Sequence, residues 1–112
     1  MTKEFKDMKG VIAIATTPFN NENLIDFESV DRLSNYYIES KVSGVTILGV
    51  MGEAHKLNIE EQKTLIKRYI KNLINSVPVI VGVSNAGLDN LELLSKFSMD
   101  SGASGVMVSG NN

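Results

Sequence analysis

The chain contains no cysteine, so neither a disulfide framework nor a thiolate metal site is available to it. Its single histidine, His55, cannot build a multi-histidine metal centre. No charge of one sign dominates. Eleven basic and 13 acidic residues give a net charge of −2, and the basic ones are spread along the chain. That excludes an electrostatic footprint for nucleic acid or for an anionic membrane. The longest apolar run, Val77–Val83, is far too short to span a bilayer. Residues 1–10 carry charge but lead into no apolar segment with a small-residue cleavage site. Nucleic acid and membrane are therefore not expected partners, and the expected location is the cytoplasm.

What is present reads as an ordinary globular chain. Hydrophobic residues make up 43% of the 112 residues and charged ones 21%. Four apolar runs, Val11–Ala15, Val45–Leu48, Val77–Val83 and Val106–Val108, are short, rich in β-branched residues and without polar alternation. Such runs predict parallel strands buried on both faces. Pro78 sits at the start of its run, where a missing ladder donor costs least. The intervening segments have helical spacing. Phe27, Val30, Leu33 and Tyr37 form one face behind Asp26 as N-cap, with Ile25 and Val30 placed for a hydrophobic staple. Leu65, Ile66, Tyr69, Ile70, Leu73 and Ile74 form a second face, preceded by Asn58 and Glu61 at capping-box spacing. Leu91, Leu94 and Phe97 form a third, with Asp89 and Glu92 at the same spacing and Gly102 as the stop. The order is β-α-β-α-β-α-β. Ser43-Gly44 is echoed in Ser101-Gly102-Ala103-Ser104-Gly105, which predicts two equivalent helix-to-strand turns.

Every strand's carboxyl end is polar or glycine-rich: Thr16-Thr17-Pro18, Gly49-Val50-Met51-Gly52-Glu53, Ser84–Gly87 and Ser109–Asn112. In parallel α/β folds ligands gather at that end, although the same residues also simply make turns. Gly49 and Gly52, three apart, let backbone N–H groups approach a small anion such as the carboxylate of a 2-oxo acid. As a nucleotide motif the loop fails, because it lacks both G-x-G-x-x-G and a Walker lysine. Glu53 has two readings, acid–base group or structural holder of its own loop. Thr16, Thr17 and Asn85 are either ligand-binding or satisfied by nearby backbone. His55 and Lys56 read as solvated residues, and Tyr37, on the first helix face, as core or interface.

Three segments, Thr17-Pro18-Phe19, Gly52-Glu53 followed by Leu57 and Glu61, and Pro78-Val-Ile-Val-Gly82, give the chain its resemblance. It resembles the dihydrodipicolinate synthase / N-acetylneuraminate lyase family over residues 10 to 109. The resemblance implies a (β/α)8 barrel that binds a pyruvate-like 2-oxo acid as a Schiff base on a lysine in a later strand, assisted by tyrosines beyond the fourth. It implies no metal and no organic cofactor. Family members usually carry hydroxyl residues just before the Gly-Glu pair. Here Val50 and Met51 stand there, so only their backbone could hold a carboxylate and no side-chain relay runs through them. That points to a divergent member.

The expectation is thus a leader over residues 1–9 and, over 10–112, the N-terminal half of a (β/α)8 barrel with parallel strands in sequential order. The substrate-binding residues would be Thr16, Thr17 and the backbone of Val50, Met51 and Gly52, with Gly49 and Glu53 shaping the loop. The chain's lysines lie in the leader, in helix patterns or, for Lys56, past the second strand. None is placed for imine formation, and the catalytic lysine is expected beyond Asn112. The complete enzyme would be a synthase, aldolase or dehydratase assembled as a homo-oligomer. The competing readings are a non-catalytic truncated half-barrel or interaction module, and a small doubly wound binding module.

Overall fold

A computed structural model describes residues 11–47, 58–83 and 88–107. The elements run β1 (Ile12–Ile14), α1 (Phe27–Glu39), β2 (Gly44–Ile47), α2 (Ile59–Leu73), β3 (Val79–Gly82), α3 (Leu88–Ser101) and β4 (Gly105–Met107). The sheet order is β1-β2-β3-β4 and every pairing is parallel. Each strand lies inside or within one residue of its apolar run.

Capping chemistry fixes where two helices begin. The Asp26 carboxylate accepts from the Ser29 N–H at 3.2 Å and from the Ser29 hydroxyl at 2.9 Å, which starts α1. Asn58 and Glu61 close a full capping box at α2, with bonds of 2.8 and 3.0 Å. Helix α3 starts at Leu88, so Asp89 lies inside the helix rather than ahead of it as a cap. The expected turn echo is real. Lys41 and Gly102 both take positive φ (58° and 117°), followed by buried Val42 and Ala103. Ser43 and Ser104 then donate their N–H to a carbonyl at the start of the preceding strand, Val11 just ahead of β1 at 2.6 Å and Val79 of β3 at 2.7 Å. Gly102 also lies against α2: a Cβ there would stand 2.5 Å from Ile74 Cδ1 and 3.2 Å from Ile70 Cγ2.

Register sorts the strand residues into two faces. Val45, Ile47, Val79 and Val81 meet Val30, Leu65, Ile66, Tyr69, Ile70, Leu73 and Leu94 in one buried core. Sequential order with right-handed crossovers puts all three helices on this face. Ile12, Ile14, Thr46, Ile80 and Met107 occupy the other face. There the two-sided burial that the apolar runs predict is incomplete, as a half-barrel requires, since its inner face lacks the opposing side chains of a closed barrel. Ile12 is 48% exposed, Ile14 52% and Met107 46%, because among the described residues no helix covers this face. Ile74, expected on the apolar face of α2, follows the last helical residue and is also exposed. The architecture is that of the N-terminal half of a (β/α)8 barrel, and its open face corresponds to the barrel interior.

Candidate functional site

At the carboxyl end of β1 the alternation continues for three residues. Ile14 and Thr16 are exposed, whereas Ala15 and Thr17 are buried. The ladder reaches as far as Ala15, whose N–H donates to the Thr46 carbonyl at 2.8 Å. Thr16 therefore carries its hydroxyl on the open side of the sheet, at the end where loops collect. Thr17 is turned toward the helices and is only 7% exposed. The two threonines, equivalent on sequence grounds, are separated by the period of the strand.

Two tyrosines fix the Thr16 peptide from behind. The Tyr69 hydroxyl donates to the Thr16 carbonyl at 2.9 Å, across 53 positions of sequence. The Tyr37 hydroxyl accepts a hydrogen bond from the Thr16 backbone. Burial pushes the Tyr37 phenol above its ordinary value, and that hydrogen bond only partly offsets the shift. Burial pushes Tyr69 higher still, with the neighbouring Tyr37 adding to it. Both phenols are therefore neutral at physiological pH and remain hydrogen-bonding groups rather than bases.

The helices that carry the tyrosines are locked together at the surface. Arg68 donates from Nε and Nη2 to the two oxygens of Asp31, each at 2.8 Å, and lies 5.3 Å over the Phe27 ring. Asn72 donates to Asp31 at 2.8 Å and to Ser34 Oγ at 3.2 Å. The Arg68 hydrogen bonds, then that of Asn72, hold the Asp31 carboxyl well below the usual carboxylate range.

Gly49, Val50, Met51, Gly52, Glu53, His55, Lys56 and Asn85 lie outside the described residues, as do the leader and Ser109–Asn112. Lysines 41, 63, 67, 71 and 96 are described. Lys41 precedes β2, at the sheet's amino end, and the others sit on α2 and α3. Among the described residues none stands at a strand's carboxyl end, and no group of three or more His, Cys, Asp or Glu could hold a metal ion. No helix among them is long and apolar enough to cross a membrane. Two features were not anticipated. Thr46, although buried, places a second hydroxyl-bearing residue on the same side of the sheet as Ile14, and Tyr69 reaches Thr16. A buried tyrosine on an apolar helix face signals that its hydroxyl has a partner, but not which one.

A sheet of this order and handedness occurs in many enzymes, and comparison with known proteins decides among them. The family model of the Dihydrodipicolinate synthetase family matches residues 7–109. The chain belongs to this family. The 4-hydroxy-tetrahydrodipicolinate synthase of Thermotoga petrophila is 35% identical over 100 residues, covering 89% of this chain and 34% of that protein. The crystal structure of dihydrodipicolinate synthase from Rhodopseudomonas palustris matches with a TM-score of 0.84 at 46% identity, over 88% of this chain and 33% of that one. A prophage protein of the dihydrodipicolinic acid synthase family from E. coli K12, in complex with pyruvate, matches with a TM-score of 0.84 at 28% identity, over 88% and 33% of the two chains. The chain thus spans about a third of the length of the curated relatives it matches. Membership of a dihydrodipicolinate synthetase family fits the geometry: four parallel strands in sequential order, helices on one face, and two threonines at the carboxyl end of β1.

Proposed function

We propose that this chain supplies the N-terminal strands of a Schiff-base-forming lyase that acts on a pyruvate-like 2-oxo acid, as a synthase, aldolase or dehydratase. In that chemistry a lysine amine condenses with the 2-oxo carbon, loses water, and leaves an iminium nitrogen that draws in the electron pair of the adjacent bond. The lysine would not be one of the chain's nine, since neither their sequence positions nor the described placements favour any of them. Residues 10–112 would act as one unit, with Thr16, Thr17 and the backbone of Val50, Met51 and Gly52 receiving the carboxylate, and Gly49 and Glu53 shaping the loop. The complete enzyme would be a cytoplasmic homo-oligomer. The observation that carries the reading is the exposed Thr16 hydroxyl on the open sheet face, at its carboxyl end, within a chain of this family.

Pyruvate titrated into isotope-labelled chain should shift the resonances of Thr16 and residues 49–53 while leaving the outer helix faces still. Thr16→Val, which keeps the shape and removes the hydroxyl, should abolish that response and leave thermal stability within about 0.5 kcal/mol. No response in the wild-type chain, or one confined to α2 and α3, refutes the ligand assignment. Pyruvate with borohydride should leave the intact mass unchanged. A stoichiometric adduct, for instance on Lys56, overturns the placing of the imine lysine elsewhere.

A further inference from the structure

We infer that Tyr69 is a positioning residue: its hydroxyl, working with that of Tyr37, sets where Thr16 stands at the carboxyl end of β1. Strand β1 has only three residues and its ladder ends at Ala15. Beyond that point no main-chain partner among the described residues takes the Thr16 carbonyl. The Tyr69 phenol takes it instead, at 2.9 Å. The amide side of Thr16 is held by the Tyr37 hydroxyl. The two peptide units flanking the Thr16 Cα are thus held from the helix layer, the following one on its C=O by α2 and the preceding one on its N–H by α1.

This grip is stiff because Tyr69 has no accessible surface and lies among Leu65, Ile66, Ile70 and Leu73. Its ring cannot move without opening the core, so the carbonyl it holds is referenced to the packed helix layer rather than to the loop. Helices α1 and α2 are in turn joined by the Arg68–Asp31 fork. The consequence appears on the opposite side of the strand. With its peptide fixed from the helix face, Thr16 keeps its own hydroxyl on the open face, where it can donate to a carboxylate oxygen. The inference rests on the 2-oxo acid reading for what the hydroxyl receives, but not for the grip itself.

The test uses the 112-residue chain and Tyr69→Phe, which removes one oxygen and keeps the ring. Amide hydrogen exchange of Ala15 and Thr16 should rise roughly tenfold, while the amides of Leu65, Ile66 and Ile70 on α2 stay within roughly twofold of wild type. Unchanged exchange at Thr16, or a uniform rise through α2, overturns the inference: the first shows that the phenol positions nothing, the second that it merely stabilises the core. Tyr37→Phe removes the other grip and should give a smaller rise at the same two amides. It carries the test if Tyr69→Phe fails to fold, and no local rise in it then counts against the proposal. Where pyruvate shifts Thr16 in the wild type, Tyr69→Phe should weaken its affinity several-fold, and equal affinity overturns the inference. No pyruvate response in the wild type counts against the 2-oxo acid reading alone, and the exchange result still decides the positioning.

Discussion

The open face of the sheet makes the most demanding prediction. Ile12 and Ile14 leave 48% and 52% of their surface in water on a face that no helix among the described residues covers. Full burial of an isoleucine side chain is worth about 1.5–3 kcal/mol, so covering the exposed half of each adds about 1 kcal/mol. Two such residues on each of two copies give about 4 kcal/mol in favour of a symmetric pair. Strands β1 and β4 each have one neighbour among the described residues, so two edges add main-chain bonding groups to the same drive. On its own the 112-residue chain should therefore self-associate. Ile12→Thr with Ile14→Thr keeps the β-branch but removes most of that apolar contribution, and should weaken association by about three decades in Kd, at 1.4 kcal/mol per decade.

Sedimentation velocity across a wide range of concentration, with circular dichroism to confirm retained helix content, measures this directly. A wild-type chain that stays monomeric and unfolds cooperatively at every concentration would refute the reasoning. So would a double variant that loses folding stability instead of association. Either result would mean that the two isoleucines are already covered by the chain's own residues.

Three further outcomes are expected. Gly102→Ala should destabilise the fold by about 1–3 kcal/mol, because φ is 117° and the new methyl meets Ile70 and Ile74; denaturant midpoints at constant m-value will show it. Asn58→Ala should cost about 1 kcal/mol by opening the capping box of α2, and amide exchange should rise first at the start of that helix. The folded-state pKa of Asp31 is lowered from 3.8. The stability it contributes should be fully present above pH 3.8 and be lost as pH falls below it through the folded value. Tyr37 and Tyr69 are raised above 10.0, so their contribution should hold below pH 10 and be lost as pH climbs through their folded values. Thermal melts from acid to alkaline pH check both signs, with Asp31→Asn flattening the acid limb and Tyr69→Phe the alkaline one.

The fold was legible because each level of the sequence carried its own signal. Apolar runs with β-branched residues gave β1 to β4 to within a residue or two, and Asp26, Asn58 and Glu61 marked two helix starts by chemistry that acts over three residues. The Ser-Gly echo marked two equivalent turns, although one reaches its left-handed residue with Lys41 and the other with Gly102. Two-sided burial of Ile12, Ile14 and Met107 follows from composition only where the barrel closes; their exposure in a half-barrel depends on what lies across the sheet, which no local pattern encodes. The start of α3 was missed by two residues because Asp caps and first-turn Asp residues look alike in sequence. At the site, Thr16 and Thr17 were legible as a pair but not as one exposed and one buried residue. The Tyr69–Thr16 and Arg68–Asp31 contacts span 53 and 37 positions, beyond any periodic signal.

Strand order separates the competing readings more firmly than any single residue. A doubly wound module has helices on both faces of its sheet and a strand-order reversal that opens a crevice. Here the order is β1-β2-β3-β4 with no reversal, and among the described residues the helices pack on one face only. That removes the doubly wound reading. An enzyme segment and an interaction module remain, and both require the bare face to be covered, so the exposed isoleucines favour neither. The Thr16 peptide does distinguish them. An interface of apolar side chains gains nothing from a buried phenol that holds the carbonyl of a residue beyond the ladder's end. A ligand site gains a hydroxyl fixed on the open side, at the strand's carboxyl end. Two neutral tyrosines, drawn from two clamped helices, serve that one position. The clamp makes sense if something small and polar is received there, and on that ground the enzyme reading stands ahead.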